Sequence, residues 1–316
     1  MIGVVSGAVV LALTPCIGMV ATRLAIVDRP GALKPQQVAV PYLGGVAVFA
    51  GIVVGVVAGR PIVVVPLALA LGLGVVDDRS GLPAVIRLIG QVAVGIAVAM
   101  TVPVHLPGPV AVVSLVVAAV VVINGVNLID GLDMLAAGVV AVAGIGFAVM
   151  LQGPGRAMAV ALSASLAGFL VYNRPPARIY LGDGGSYLLG AGLTVLVADA
   201  WAPTTPLPVG VASLAVVAVP VAEVAFAIIR RARSGRSLLA GDRGHPYDRL
   251  VARGWPVTAA SGAYVAAEAL LVTGALIATH LASTRAAVIV DVVAAVLLVG
   301  LAAATGSLTP DEEART

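Results

Sequence analysis

Long apolar stretches that recur with only short polar breaks dominate this sequence. Hydrophobic residues make up 60% of the 316 residues and charged residues only 10%, whereas soluble domains carry about 25% charged residues. A helix needs about 20 apolar residues to cross the hydrocarbon core of a membrane. The pattern therefore excludes a water-soluble globule and predicts an all-α polytopic membrane protein.

Charges and Pro/Gly breaks divide the apolar sequence into eleven predicted transmembrane helices. The first has no basic region and no cleavage site, so we interpret it as a retained helix and not as a signal peptide. We expect one integral membrane domain over residues 1–304 and a short cytosolic tail over 305–316. The predicted spans lie near residues 2–22, 42–59, 61–76, 87–104, 109–126, 134–152, 157–173, 186–201, 208–229, 258–280 and 286–304.

The positions of lysine and arginine predict the orientation of the chain. With the N-terminus outside, 15 of the 18 basic residues fall in inner loops or in the tail, and only Arg60, Arg156 and Arg285 lie outside. Cytoplasmic loops of membrane proteins carry such an excess of Lys and Arg. We therefore expect an N-out, C-in protein in the cell (inner) membrane.

Under this topology, acidic residues gather on the inner side in three groups. Asp77-Asp78 directly follows the apolar run LALGLGVV. In NGVNLIDGLD at 124–133, two amides and two acids are each three residues apart and share a helical face or line the mouth of a broken helix. The turn YLGDGGS at 180–186 enters a helix whose N-terminus could bind a phosphate. Each group could instead be an ordinary solvated helix end or turn.

The grouping of five aspartates indicates a cation. Each like-charged pair at roughly 4 Å costs about 4 kcal/mol at an effective dielectric of about 20. The single cysteine excludes a multi-thiolate zinc site. Oxygen ligands without a Cys/His cluster favour Mg²⁺ or Mn²⁺, ions that commonly bind substrate phosphates, and so indicate phosphate chemistry.

The inner loop 230–255 supplies positive charge that would complement a phosphate. It contains seven arginines and His245, the only histidine predicted on the inner side. Arginine binds phosphate bidentately, although much of this charge also fits the positive-inside rule or contact with anionic lipid. His245 lies between Asp242 and Asp248, and a titratable ring beside two acids is typical of a site.

Together, these segments resemble the polyprenyl-phosphate N-acetylhexosamine-1-phosphate transferases (glycosyltransferase family 4), which include the phospho-N-acetylmuramoyl-pentapeptide translocase. The loop from Asp28 to Gly45 is similar to the first inner loop of the family, and Asp77-Asp78 to its acidic pair. Residues 124–133 match N-x-x-N-x-x-D-G-x-D, residues 182–186 match G-D-x-G-S, and the last loop resembles the histidine motif.

This resemblance implies transfer of a sugar 1-phosphate from a UDP-N-acetylhexosamine to polyprenyl phosphate, with release of UMP, in a cleft facing the cytoplasm. Asp77 or Asp78 would be the base that deprotonates the lipid phosphate, and direct displacement is favoured over a covalent intermediate. The expected cofactor is Mg²⁺ or Mn²⁺, no nucleic-acid partner is expected, and a homodimer is left open. The implied roles are metal ligand for Asp183 and Asp77, catalytic group for Asp77, Asp78, Asp183 and His245, and substrate ligand for Lys34, Asn124, Asn127, Asp130, Asp133, Arg243 and Arg249.

The sequence departs from the family motifs at four positions. Leu33 replaces the first residue of an Arg-Lys pair, Gln36 a histidine, Met134 a glycine, and Asp248 a further histidine. These departures favour a small UDP-HexNAc donor over the pentapeptide donor and leave the role of His245 open. The sugar, the isoprenoid length, the pathway and the oligomeric state are open as well.

Two functions of other classes compete with this interpretation. A secondary transporter would place charges near the membrane midplane on repeated halves, but only Glu268 lies near the middle of a predicted span and no repeat is evident. A lipid-binding scaffold would keep the arginines and lose the acids, yet all five principal acids are present.

Overall fold

The computed structural model describes residues 1–28, 39–237 and 244–309, and this part of the chain is mainly helical. Two-residue strands β1 (Val27–Asp28) and β2 (Val40–Pro41) pair in antiparallel fashion, and a 3₁₀ turn covers Pro61–Val63. The helices are α1 (Ile2–Arg23), α2 (Gly44–Gly59), α3 (Val64–Ser80), α4 (Ala84–Thr101), α5 (Gly108–Leu128), α6 (Leu135–Met150), α7 (Gly153–Asn173), α8 (Gly182–Ala200), α9 (Leu207–Val216), α10 (Ala218–Arg233), α11 (Pro246–Ala252), α12 (Val257–His280) and α13 (Thr284–Thr305).

Each of the eleven predicted spans coincides with one of these helices or with the α9–α10 pair. Seven helices are long and apolar enough to cross a membrane, or eight spans if the bent pair is one. The all-α polytopic class is thereby confirmed. The other three predicted spans, α2, α6 and α8, do not qualify by length and composition alone. Helices α2 and α6 have only 16 residues each, and α8 carries aspartates near both ends.

The predicted span at 208–229 is two helices that meet at a bend of 55°. Pro220 lies in the first turn of α10 and has no N–H to donate to the carbonyl of Val216, so the hydrogen-bonding ladder is interrupted there. The bend packs against α5, where a Cβ built on Gly125 would lie 2.2 Å from the Pro220 carbonyl oxygen.

Helix α8 is the centre of the bundle, because all but two of its residues are buried. Glycines let its backbone approach neighbouring helices closely. A Cβ on Gly45 of α2 would lie 2.3 Å from Gly185, and one on Gly74 of α3 would lie 2.2 Å from the carbonyl oxygen of Asp183. Small residues in α2 and α3 therefore determine where the first turn of α8 lies.

An ion pair fixes the opposite end of α8. Arg60, between α2 and α3, donates from its guanidinium to Asp199 over 2.7 Å. The sequence places both residues on the predicted outer side, and the structure puts them at the end of the bundle remote from Asp183.

Candidate active site

The carboxyl group of Asp78, at the end of α3, caps the first turn of α8. It accepts hydrogen bonds from the backbone amides of Asp183 (2.8 Å) and Gly184 (3.0 Å). The first N–H groups of a helix have no partner within the helix, and a negative charge there is stabilising. Gly182 has φ +72°, and a Cβ at that position would lie 2.6 Å from the Asp78 carboxylate, so the turn requires glycine.

Asp183, in the first turn of α8, is bound on its other side by α5. The side-chain amide of Asn127 donates to its Oδ1 over 2.6 Å and to the hydroxyl of Ser186 over 3.1 Å. Burial, followed by the negative charge of Asp77, raises the pKa of Asp183, so the two carboxyl groups are neighbours. Three separate segments, which contribute Asp77-Asp78, Asn127 and Asp183, thus meet around the first turn of α8.

Asp77 is buried and has partners that lie outside the sequence motifs. It accepts a hydrogen bond from the Tyr187 hydroxyl and one from the backbone amide of Leu82, each at 2.7 Å. The guanidinium of Arg87 lies 3.6 Å away. Tyr187 could have been found from its spacing, since it lies one helical turn after Asp183. The sequence indicates Arg87 less strongly, since only its position near the start of the next helix marks it as a possible partner.

Asp130 and Asp133 lie in the turn between α5 and α6. Burial raises the pKa of Asp130 well above its usual value, and the negative charges of Asp183 and Asp78 raise it further. Asp130 therefore belongs to the same electrostatic cluster. Asp133 accepts a hydrogen bond from the Ala177 amide at 2.9 Å, which connects this turn to the segment before α8.

The acidic field extends to strand β1. Burial, followed by the charges of Asp133, Asp28 and Asp130, raises the pKa of Tyr180 to about 12. Asp28 of β1, which begins the loop that resembles the first family motif, thus faces the same cluster.

Met134, which stands where the family has glycine, adopts the left-handed backbone conformation with φ +59°. Its amide donates to the side chain of Asn173 over 3.0 Å. A non-glycine residue in this region is strained by about 1–2 kcal/mol. This turn therefore needs a left-handed residue, and the chain fills the position with a strained methionine.

Other predicted substrate ligands lie elsewhere or outside the described residues. Asn124 donates to the buried Gln91 over 2.6 Å and to the carbonyl of Val120, so it bridges α5 and α4. Arg249 is half-buried in α11. Lys34 and Arg243 lie outside the described residues.

His245 is 2% exposed and its Nδ1 lies 2.7 Å from the Glu223 carboxylate. Glu223 also accepts a hydrogen bond from the Tyr264 hydroxyl. Neither Glu223 nor Tyr264 was assigned to the site from sequence, and the only signal was the position of Glu223 near the inner end of its span. The imidazole is thus held inside the protein next to a buried acid.

Among the described residues, no group of three or more His, Cys, Asp and Glu side chains is arranged to hold a metal ion. Asp77 and Asp183 are neighbouring carboxyl groups of the site. Mg²⁺ is commonly held by one or two carboxylates with waters and substrate phosphates. Two neighbouring carboxyl groups have the chemistry that such an ion requires.

Comparison with known proteins gives consistent matches. The model of the glycosyl transferase family 4 matches residues 61–200, which include Asp77, Asp78, Asn127 and Asp183. The chain is 33% identical over 274 residues to the "probable undecaprenyl-phosphate N-acetylglucosaminyl 1-phosphate transferase" of Bacillus subtilis, covering 79% of this chain and 76% of that protein.

Two further relatives cover similar shares. The decaprenyl-phosphate N-acetylglucosaminephosphotransferase of Mycobacterium tuberculosis is 29% identical over 303 residues, 79% of this chain and 75% of its own length. The undecaprenyl-phosphate alpha-N-acetylglucosaminyl 1-phosphate transferase of Yersinia pestis is 27% identical over 281 residues, 80% of this chain and 76% of its own length.

Proposed function

This chain belongs to the glycosyl transferase family 4, and on that premise we propose that it transfers N-acetylglucosamine 1-phosphate from a UDP-sugar to a polyprenyl phosphate. The relatives are named as N-acetylglucosamine phosphotransferases acting on undecaprenyl or decaprenyl phosphate. The observation that carries the proposal is the contact of Asp77, Asp78 and Asn127 with Asp183 at one end of the bundle. A long isoprenoid acceptor explains why such a site is built into a membrane protein.

We assign Asp77 and Asp183 as the protein ligands of a divalent ion, Mg²⁺ or Mn²⁺. Their adjacent carboxyl groups support this, because two like charges in a partly buried site need a cation between them. When bound, the ion would neutralise charge on the diphosphate of the donor. Asn127 fixes Oδ1 of Asp183, and Asp78 fixes the helix turn that carries Asp183.

In the proposed reaction, an oxygen of the lipid phosphate forms a bond to the sugar-side phosphorus of the donor. The bond from that phosphorus to the bridging oxygen breaks, and UMP leaves. Asp77 or Asp78 accepts a proton from the lipid phosphate where one is present. Both substrates are anions, so the positive charge of Arg87 beside Asp77 favours their approach. We keep Lys34, Asp130, Asp133, Arg243 and Arg249 as proposed ligands of the substrates.

We propose that the chain crosses the membrane eleven times, with its N-terminus outside and the site facing the cytoplasm. The excess of basic residues on the inner side supports this orientation. The clustering of the acidic residues at one end of the bundle supports it as well, since all of them fall on the predicted inner side. One membrane domain over residues 1–304, followed by a short tail, is consistent with α13 ending at Thr305.

A donor panel tests the proposed function. The purified protein is reconstituted with Mg²⁺ and undecaprenyl phosphate and is offered radiolabelled UDP-GlcNAc, UDP-GalNAc, UDP-glucose and UDP-MurNAc-pentapeptide. We expect stoichiometric UMP and labelled lipid with UDP-GlcNAc. Turnover of the pentapeptide donor alone would assign the chain to the translocase branch. Label taken up into vesicles without UMP release would indicate a transporter and refute the proposal.

A further inference from the structure

The first half of α10 carries a buried carboxylate that joins three separate parts of the chain. Glu223 is 2% exposed. One of its oxygens lies 2.7 Å from Nδ1 of His245, in the segment before α11, and the other accepts a hydrogen bond from Tyr264 of α12. Because a buried carboxylate without partners is costly, these contacts strongly favour one arrangement of the three elements.

The contacts continue from His245 to the proposed active site. The ring of Tyr247 stacks on His245, with centroids 5.3 Å apart and planes 4° from parallel. Its hydroxyl donates to the backbone carbonyl of Leu128 over 2.7 Å. Leu128 directly follows Asn127, the residue that binds Asp183. A Cβ on Gly131 would lie 2.4 Å from the Tyr247 hydroxyl, so the turn after α5 passes directly over this ring.

We propose that Glu223 is a positioning residue of the transferase. Its carboxylate holds the His245 ring, the His245 ring supports Tyr247, and Tyr247 holds the end of α5 and the turn that carries Asp130. Glu223 acts through this chain of contacts and not by touching substrate. The same geometry assigns His245 a positioning role within the protein. The inference rests on the proposed function only for its consequence on turnover.

The structural part of the proposal is testable without substrate by hydrogen exchange of the purified full-length protein. We expect Glu223→Gln and Tyr247→Phe each to speed amide exchange in residues 124–135 by about three- to tenfold, the effect of losing one buried hydrogen bond. Tyr247→Phe removes only the hydroxyl group and keeps the aromatic ring that stacks on His245. Unchanged exchange in both variants would overturn the proposal.

Glu268→Gln is the matched control. Glu268 is fully buried on α12, one helical turn from Tyr264, and neither of its oxygens has a hydrogen-bond partner within the described residues. Its replacement also removes a buried carboxyl group but no link to the α5 end. We expect wild-type exchange in residues 124–135. An increase equal to that of Glu223→Gln would show a general effect of the lost acid and contradict the proposal.

The kinetic part uses the transfer reaction. We expect Glu223→Gln to lower kcat by about tenfold with the KM for polyprenyl phosphate changed less than about twofold, because the loss acts at the reacting groups. The double variant Glu223→Gln/Tyr247→Phe should be no slower than the slower single variant, since both break one chain of contacts. Multiplicative losses would overturn the proposal. Absence of transfer by the wild-type protein would refute the proposed function and leave the exchange result standing.

Discussion

Asp78 binds the backbone of Asp183: the carboxyl group at the end of α3 accepts the Asp183 amide hydrogen at 2.8 Å. One acidic residue of the site therefore orients another through the helix on which the second lies. Asn127 completes the arrangement by holding the Asp183 side chain itself. Asp78 therefore has a structural role at the helix turn, whereas the Asp183 side chain remains the candidate ligand. Substitutions can test these two roles separately.

We expect Asp78→Asn to destabilise the protein by about 1–2 kcal/mol, because an amide oxygen replaces a charged cap that serves two backbone N–H groups. Transfer activity should fall in addition, since the α8 turn loses its fixed position. Thermal unfolding and UMP release measure the two effects. Asp199→Asn, which breaks the ion pair at the other end of α8, should lower stability and reduce kcat much less than Asp78→Asn does.

Asp183→Asn should lower turnover by at least about 1,000-fold, the effect of losing several kcal/mol of charge stabilisation at the reacting phosphates. Asp291→Asn is the matched change on α13, far along the chain from the site, and should leave turnover largely intact. Initial rates of lipid product formation give the comparison. Equal losses in the two variants would remove Asp183 from its assigned role.

Removal of divalent ions with a chelator should abolish transfer, and Mg²⁺ or Mn²⁺ should restore it. In Asp77→Asn, we expect the Mg²⁺ concentration for half-maximal activity to rise by about 10- to 100-fold, because one of two protein ligands is lost. A titration of rate against free Mg²⁺ tests this. A variant with the wild-type midpoint and a lower maximum would place Asp77 outside the metal site.

Asp130→Asn should stabilise the metal-free protein while reducing transfer. Burial and two neighbouring acids raise the pKa of Asp130, so its ionised form is disfavoured in the folded state. The unfolded chain loses this proton near its ordinary pKa of about 3.9, and the wild-type protein therefore loses stability as pH rises above that value. The gain from Asp130→Asn should be larger at pH 8 than at pH 4 in unfolding experiments with chelator.

Met134→Gly should stabilise the protein by about 1 kcal/mol, because glycine adopts the left-handed conformation at this position with little strain. Met134→Ala keeps the strain and loses side-chain contacts, so it should give no gain. The unfolding midpoints of the two variants decide the matter. A lower midpoint for the glycine variant would mean that packing of the Met134 side chain outweighs backbone strain.

The helices were predictable from the sequence because every apolar run long enough to cross a membrane has a strong local signal. The break between α9 and α10 was less predictable, because proline is tolerated in the first turn of a helix and does not by itself require the axis to change. The two-residue strands β1 and β2 are too short to have a detectable pattern.

The site was predictable in its acids and not in its contacts. Asp77, Asn127 and Asp183 follow from motif spacing and come together as expected. The capping role of Asp78 and the hydrogen bond from Tyr187 to Asp77 depend on helices far apart in the chain. Local spacing cannot specify which of two neighbouring carboxylates points at a backbone and which at a side chain.

The ion pair of Arg60 with Asp199 and the cap from Asp78 hold α8 from residues that flank or end the same helix, α3. An axial slide of α8 would disturb both contacts at once. Asp183 therefore stands at a fixed height along α3, and a substrate phosphate must reach that height. The substrate phosphate must therefore adjust its own position to reach Asp183, because α8 has little freedom to move along its axis.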